Sequence, residues 1–180
     1  MEDSPPEYDF RRHPEWIAES AWLAPGAHVC GEVHLGNSSS VWFNAVVRGD
    51  TERISVGNAT NIQDLCLVHA DAGVPCTIGD RVTLGHAAIV HGATIEDDVM
   101  IGIRATVLNG ATIGTGSLIA AGALVPENSV IPPHSVVMGI PGKIVRQTTD
   151  SDQRRIRHAA KHYVQAAIAY REQSGLEEGP

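Results

Sequence analysis

Three histidines lie in two short stretches near the middle of the chain, and together they would be able to bind a metal ion. His69 ends NIQDLCLVH, and His86 and His91 lie in LGHAAIVHG. Three neutral imidazoles around one point bind Zn²⁺ and leave a fourth position for water, whose pKa then falls to about 7. A lone exposed histidine is usually only solvated, and these spacings match no helical or local zinc pattern. Whether the three meet therefore depends on the fold of the chain between them.

The chain around these histidines repeats every six residues. The aliphatic members of the repeat are Leu23, Val29, Leu35, Val41, Val47, Val56, Ile62, Val68, Ile78, Leu84, Val90, Ile95, Ile101, Val107, Ile113, Ile119, Val125, Ile131 and Val137. A period of six fits neither an amphipathic helix nor a long alternating strand. It fits short strands around a three-sided solenoid with about 18 residues per coil. The sequence therefore predicts an all-β solenoid with the aliphatic side chains inside.

This period resembles that of the hexapeptide-repeat proteins, and the resemblance covers roughly residues 17–144. It implies a left-handed parallel β-helix of roughly seven coils. A β-sandwich is the alternative fold, but a sandwich gives no reason for a strict period of six. We expect a mobile tail over residues 1–13, the β-helix domain over 14–146, and a C-terminal segment over 147–180.

The C-terminal segment has the pattern of an amphipathic helix that packs back on the coils. Its predicted apolar face consists of Ile156, Ala160, Tyr163, Ala167 and Tyr170. Asp150 or Ser151 is expected to cap its start, and Gly175 lies near its expected end.

The repeat is irregular in three places, all next to the histidines. There are three extra residues between Val47 and Val56, and four extra between Val68 and Ile78. One residue is missing between Val90 and Ile95. Irregularities in a solenoid are where loops leave the surface or where a site is built.

The repeat places two of the histidines in one column. His69 follows Val68 and His91 follows Val90, so they occupy the same position on one face of successive coils, about 4.8 Å apart. His86 lies on a different face and reaches the other two only from a neighbouring chain. A closed trimer brings one face of a subunit against a different face of the next. The spacing therefore predicts a Zn²⁺ site between subunits of a homotrimer.

Polar residues surround the predicted site in the same columns. Arg48 lies one coil below His69, and Asp50 lies in the same insertion. Asp64 lies in the column of His86, where a carboxylate can orient an imidazole. For Arg48 and Asp50 a subunit ion pair without a chemical role is an equally good interpretation.

A more specific resemblance follows from these motifs. The RGD of residues 48–50, the NIQD of 61–64 with a histidine five residues later, and the GH and HG of LGHAAIVHG resemble the γ-class carbonic anhydrase family. The resemblance implies that His69, His86 and His91 bind a divalent metal across a trimer interface. It also implies an intersubunit pair of Arg48 with Asp50.

In that family the positions of Gln63 and Asp64 hold the metal-bound hydroxide and its hydrogen-bond network. The chain differs from the active members of that family in the residues that transfer the proton to solvent. Thr51 stands where they have Glu, and the loop ADAGVPCTIGD has no Glu. Glu52 or Tyr163 are the candidates to take over proton transfer, although Tyr163 is as well explained as a packing residue. We therefore expect slow or buffer-dependent turnover.

Three functions remain open from the sequence. The first is reversible hydration of CO₂ to bicarbonate by the metal-bound hydroxide. The second is acyl transfer from an acyl-CoA donor, because GIPGK at residues 139–143 resembles a loop of hexapeptide-repeat acyltransferases. The third is a non-catalytic, metal-stabilised trimeric assembly subunit. Zn²⁺ is the expected metal, and a three-histidine site also accepts Co²⁺ or Fe²⁺.

Net charge and cysteine content indicate which partners and which cellular compartment to expect. The net charge is −8, with 13 basic and 21 acidic residues, which argues against nucleic-acid and membrane partners. The acidic N-terminus resembles neither a secretory signal nor a transit peptide. Cys30, Cys66 and Cys76 have no C-x-x-C spacing and indicate free thiols in a reducing cytoplasm. We expect Cys66 to be buried and Cys76 to lie in a more accessible loop.

Overall fold

The six-residue period folds into a left-handed parallel β-helix followed by one α-helix. The β-helix has about six turns, one fewer than the roughly seven coils expected from the sequence. The computed structural model describes residues 8–174. A short 3₁₀ helix spans Pro14–Trp16, and the C-terminal helix α1 spans Asp150–Ser174. The strands are β1 Trp22–Leu23, β2 His28–Leu35, β3 Ser40–Val41, β4 Val46–Val56, β5 Asn61–Ile62, β6 Leu67–His69, β7 Cys76–Ile78, β8 Thr83–Leu84, β9 Ile89–His91, β10 Thr94–Ile95, β11 Met100–Ile101, β12 Thr106–Val107, β13 Thr112–Ile113, β14 Leu118–Ile119, β15 Leu124–Val125, β16 Val130–Ile131, β17 Ser135–Met138 and β18 Lys143–Gln147.

Three flat faces share one interior, and each is a ladder of parallel strands in register. Face one begins with Leu23 paired to Val41 and ends with Ile119 paired to Val137, after which β18 adds an antiparallel strand. Face two runs through Val68 and Val90. Face three runs through Val56, Ile78 and Ile95. Each inner Val, Ile or Leu rests on its equivalent one turn away, and each such burial is worth roughly 1.5–3 kcal/mol.

The three irregularities leave this stack intact because each lies outside the paired aliphatic positions. Val68 pairs with Val90 across the four-residue insertion, as Val47 pairs with Val68 across the three-residue one. Ile78 pairs with Ile95 in spite of the missing residue. The assignment of faces from the sequence is therefore confirmed.

Small residues line the corner after face one. Cys66 occupies this column and is 1% exposed, so the prediction that it is buried is confirmed. The other members are Ala45, Ala88, Ala105 and Ala123. Burial raises the pKa of the Cys66 thiol to about 12.

The prediction for Cys76 was wrong. Cys76 begins β7 and pairs with Ile54, with its side chain buried like that of Ile78 two positions later. The inserted loop ends one residue earlier, at Pro75, because strand alternation turns Cys76 inward and Thr77 outward. Burial raises the pKa of the Cys76 thiol to about 11.

Helix α1 packs along face one and contacts β1, β3, β5 and β8. Ile156 and Ala167 are buried there, as the apolar helical face predicts. The aromatic rings of Trp22, Trp42, Phe43, Tyr163 and Tyr170 form one cluster at the far end of the helix. No helix among residues 8–174 is long and apolar enough to cross a membrane.

The ends of α1 differ from expectation. Thr149, and not Asp150 or Ser151, is the capping residue. Its hydroxyl accepts from the Asp152 amide at 3.3 Å, and its own amide donates to the Asp152 carboxylate at 2.8 Å. This reciprocal pair satisfies two amides that a helix start leaves open. Gly175, expected near the helix end, lies outside the described residues, as do residues 1–7 of the expected tail.

Two glycines with the same backbone conformation test how tightly the coils stack. Gly31 and Gly73 have φ of 75° and 76°. A Cβ on Gly31 would meet the backbone of Gly49 at 2.3 Å and the Asp50 amide at 2.5 Å, whereas one on Gly73 would meet nothing within 4 Å. Of these two positions, Gly31 excludes a side chain both by its φ and by contact with the next coil, whereas Gly73 disfavours one by its φ alone.

We expect Gly73→Ala to lower the free energy of unfolding by about 1–2 kcal/mol, the cost of a Cβ at positive φ. Gly31→Ala carries the same cost and adds about 1–3 kcal/mol of overpacking against the next coil. Chemical denaturation of both variants measures the difference. Equal losses would contradict the close packing of the coils at this point.

Candidate metal centre

His69 and His91 lie on adjacent rungs of face two and pair in register, with Arg48 on the rung below. Their ring centroids are 5.0 Å apart, close to the spacing of neighbouring strands. His69 Nδ1 lies 2.9 Å from His91 Nε2. Both rings are mostly buried. The column predicted from the repeat is present as a close imidazole pair.

The outer nitrogen of each ring faces an oxygen acceptor. His69 Nε2 lies 3.2 Å from Asp50 Oδ1, and His91 Nδ1 lies 2.7 Å from Asn109 Oδ1. The Asn109 amide nitrogen donates to Asp71 Oδ2 at 2.7 Å, which fixes the amide with its oxygen toward His91. A carboxylate or an amide oxygen accepts, so each outer ring nitrogen carries the hydrogen.

This arrangement fits a bound cation. With both outer nitrogens protonated, the inner nitrogens of two neutral rings present lone pairs to each other at 2.9 Å. Such a contact is repulsive unless a proton or a cation lies between them. Burial, followed by the charge of Arg48, lowers the pKa of His69, which favours the neutral ring that a metal requires. His69 and His91 therefore have the donor set and orientation for a divalent ion.

Arg48 and Asp50 form an ion pair within the chain, with 2.6 Å between Arg48 Nη1 and Asp50 Oδ2. Burial acts to raise the pKa of Asp50, but hydrogen bonds from Arg48 and His69 outweigh it, and the pKa is lowered. Asp50 is thus held ionised and joins the guanidinium to the His69 ring. The intersubunit pair implied by the family resemblance stays a prediction.

His86 lies at the corner after face one, separated from the other two histidines. Its Nδ1 lies 2.7 Å from Asp64 Oδ2, and the Asp64 carbonyl accepts from the Ala87 amide at 2.8 Å. The Asp64 carboxylate therefore accepts the His86 Nδ1 hydrogen, and the Nε2 of His86 stays available to bind a metal ion. Asp64 and His86 are thus neighbours on successive coils, as the repeat predicts.

Gln63 is buried beneath His86 and supports it. Its Oε1 accepts from the His86 amide at 3.1 Å, and its Nε2 donates to Asn61 Oδ1 at 3.1 Å. Asn61 in turn donates to Thr83 Oγ1 at 2.9 Å. One of the two Nε2 hydrogens of Gln63 remains for a further acceptor.

A groove of about 390 Å³ opens between α1 and the coils beside His86. Tyr163 lines it together with Gln63, and its ring makes an edge contact with Trp42 at 5.0 Å. Burial, followed by the charges of Asp64 and Cys66, raises the pKa of Tyr163. The groove places Tyr163 near the predicted site, and its role in proton transfer stays a prediction.

Sequence reasoning missed Asp71 and Asn109. Asp71 joins His69 and His91 in one group, whose possible ligand atoms lie within 4.8 Å of one another. Asn109 was detectable in principle, because the shortened coil places it above Gly92, where a Cβ would meet its Oδ1 at 2.3 Å. The lack of a side chain at Gly92 gives Asn109 the space to reach His91.

Glu52, one of the predicted proton acceptors, has another function in the fold. Its carboxylate accepts from the Arg53 amide at 3.1 Å and from the Gly73 amide at 2.8 Å. These hydrogen bonds lower its pKa. Glu52 thereby anchors the loop that follows His69.

Comparison with known proteins identifies the repeat and several similar structures. The model of the bacterial transferase hexapeptide (six repeats) matches residues 92–127, and that of the hexapeptide repeat of succinyl-transferase matches residues 75–99. The structure resembles that of a hexapeptide transferase family protein from Anaplasma phagocytophilum, with a TM-score of 0.83, 31% identity, and coverage of 86% of this chain and 91% of that one. It also resembles a Vibrio cholerae hexapeptide-repeat acetyltransferase in complex with acetyl coenzyme A, with a TM-score of 0.56, 29% identity, and coverage of 69% and 72%.

Sequence relatives point to one family. A protein of Methanocaldococcus jannaschii named a probable carbonic anhydrase is 50% identical over 82% of this chain and 93% of its own. A carbonic anhydrase of Geobacillus kaustophilus is 40% identical over 91% and 90%. The mitochondrial gamma carbonic anhydrase 2 of Arabidopsis thaliana is 42% identical over 84% of this chain and 56% of its own length. The chain therefore belongs to the γ-carbonic anhydrase family of hexapeptide-repeat proteins.

Proposed function

We propose that this protein is a metal-dependent carbonic anhydrase that catalyses the reversible hydration of CO₂ to bicarbonate. The observation that carries the proposal is the pair of inner imidazole nitrogens of His69 and His91, 2.9 Å apart, with an oxygen acceptor behind each ring. The similarity to proteins named carbonic anhydrases supports the same reaction, the hydration of CO₂.

The site is completed in a homotrimer, in which His69 and His91 of one subunit meet His86 of the next. His86 and its carboxylate lie at a different corner of the prism, and a three-fold ring brings unlike faces together. Zn²⁺ is the expected ion, with Co²⁺ and Fe²⁺ as alternatives. A divalent ion bound there supplies Lewis acidity, which lowers the pKa of a coordinated water to about 7 and so gives a nucleophile at neutral pH.

The other polar residues orient these ligands and the substrate. Asp64 holds the Nδ1 hydrogen of His86, and Asp50, ionised by Arg48, holds the Nε2 hydrogen of His69. Gln63 fixes the His86 backbone and has one Nε2 hydrogen left to donate to the oxygen that attacks CO₂. Arg48 also serves the contact between subunits.

Proton transfer to solvent is the slow part of the proposed reaction. Efficient proton carriers have a pKa near the working pH. Glu52 is tied to two backbone amides with a lowered pKa, and the pKa of Tyr163 is raised. The pKa of Glu52 therefore lies further below neutral pH than usual, and that of Tyr163 further above it. Because neither residue is a good proton carrier at neutral pH, soluble buffer takes over much of the proton transfer.

Acyl transfer is the second candidate function, because the similar Vibrio cholerae protein is an acetyltransferase solved with acetyl coenzyme A. The GIPGK segment, residues 139–143, resembles a loop of hexapeptide-repeat acyltransferases. Acyl transfer needs one basic histidine, oriented by one partner, and gives no reason for three histidines that each have an oxygen acceptor. A trimeric assembly subunit without catalysis is the third candidate.

We propose the cytoplasm as the compartment, because Cys30, Cys66 and Cys76 are free thiols. The similar protein of Arabidopsis is named as mitochondrial, so fractionation of the native host decides between the two.

The pairing of Asp64 with His86 predicts a specific loss of metal. Asp64→Ala frees the His86 ring and should weaken metal affinity about 10–100-fold. Asp98→Ala is the matched control, since it removes a carboxylate that binds Arg81 and none of the three histidines. Competition titration with a chromophoric chelator measures both, and equal affinities would argue against His86 as a ligand.

The kinetic prediction separates proton transfer from the attack on CO₂. Added imidazole should raise kcat severalfold and leave kcat/KM for CO₂ nearly unchanged, because the buffer accepts the proton after bicarbonate leaves. Gln63→Ala should instead lower kcat/KM, because Gln63 touches the reacting oxygen. Stopped-flow CO₂ hydration by the metal-loaded protein tests both. The account of proton transfer fails if turnover is high and indifferent to buffer, and absence of hydration with full metal would favour the assembly subunit.

A further inference from the structure

A third potential ligand lies beside His69 and His91 within the same chain. Asp71 Oδ1 is 3.9 Å from His91 Nε2, and the ligand atoms of the three residues all lie within 4.8 Å of one another. Ligands at 2.0–2.1 Å from a tetrahedral ion are about 3.3 Å apart. The separations of 2.9 Å and 3.9 Å bracket that value, so small side-chain shifts would place all three on one ion.

Asp71 is aimed at this point by contacts on both sides of its loop. The Asn109 amide donates to Asp71 Oδ2 at 2.7 Å, which leaves Oδ1 toward His91. The Val74 amide donates to the Asp71 carbonyl at 2.9 Å, and the Gly73 amide is held by Glu52 at 2.8 Å. Asn109 thus orients two ligands at once, because its oxygen accepts from His91 and its nitrogen donates to Asp71.

Asp71 differs from the two histidines in exposure. Its side chain is 58% exposed, whereas those of His69 and His91 are 12% and 26% exposed. A carboxylate at the solvent edge meets an incoming hydrated cation first. It also has room to withdraw when another ligand arrives.

We propose that a single chain takes up a divalent cation through His69, Asp71 and His91 before the subunits assemble. The inference rests on the proposed function, because it concerns the same metal. Two imidazoles and a carboxylate form a known type of Zn²⁺ ligand set. Assembly then brings in His86 of a neighbouring subunit, which replaces Asp71 and leaves the fourth position for water.

The test uses Co²⁺, whose visible absorption reports tetrahedral binding without any assay of activity. In the His86→Ala variant, which lacks the intersubunit ligand, we expect one Co²⁺ per chain with weaker affinity than in the wild type. Adding Asp71→Asn should weaken this binding at least tenfold. Asp98→Asn in the same background is the matched control and should change nothing.

The outcomes separate the two proposals. Binding by the wild type with none by His86→Ala would overturn the loading site and leave the shared site standing. Equal affinities with and without Asp71→Asn would overturn the role of Asp71. No Co²⁺ in the wild type would remove the proposed function as well.

A second measurement does not depend on the folding of the His86 variant. Asp71→Asn in the otherwise wild-type chain should take up Co²⁺ more slowly than the wild type and reach the same final stoichiometry. An unchanged uptake rate would count against loading through Asp71.

Discussion

The in-register stacking of aliphatic side chains on successive coils is the constraint on which the candidate site depends. Val68 lies on Val90, and the residue after each valine must then lie one strand spacing from its equivalent. That spacing brings the His69 and His91 rings to 5.0 Å between centroids. The insertions around them are tolerated because they leave the paired positions untouched, so the chain gains loops with side chains such as Asp71 without losing the core.

The acceptors behind the rings give this stacked pair the orientation of a candidate metal centre. Two stacked imidazoles alone could hydrogen-bond to each other through one shared hydrogen. Asp50 and Asn109 each take a hydrogen on the outer side, so the inner nitrogens present lone pairs to each other. The Asp64 carboxylate does the same for His86 at another corner. The same three-sided geometry that aligns two ligands separates the third, and this separation is the basis for proposing a site shared between subunits.

Counting along the repeat was enough to predict the fold, the three faces and the columns that contain the candidate residues. The period encodes backbone position, and position determines which residues share a rung. It does not encode how far a side chain reaches. Asn109 was missed because it acts across the shortened coil, through the space that Gly92 leaves open. The end of the loop before Cys76 and the cap of helix α1 at Thr149 were each misplaced by one or two residues, because loop and helix ends depend on local hydrogen bonds.

The proposal that two subunits contribute to each metal centre is tested by mixing two defective subunits. His69→Ala and His86→Ala chains are unfolded together, refolded together, loaded with Zn²⁺ and dialysed against a chelator. Random assembly into trimers joins intact His69 and His91 to an intact His86 at about one interface in four. With a shared site, tightly held zinc appears in the mixture at that level and in neither variant alone. Zinc retention by the mixture no greater than the average of the separate variants would contradict it.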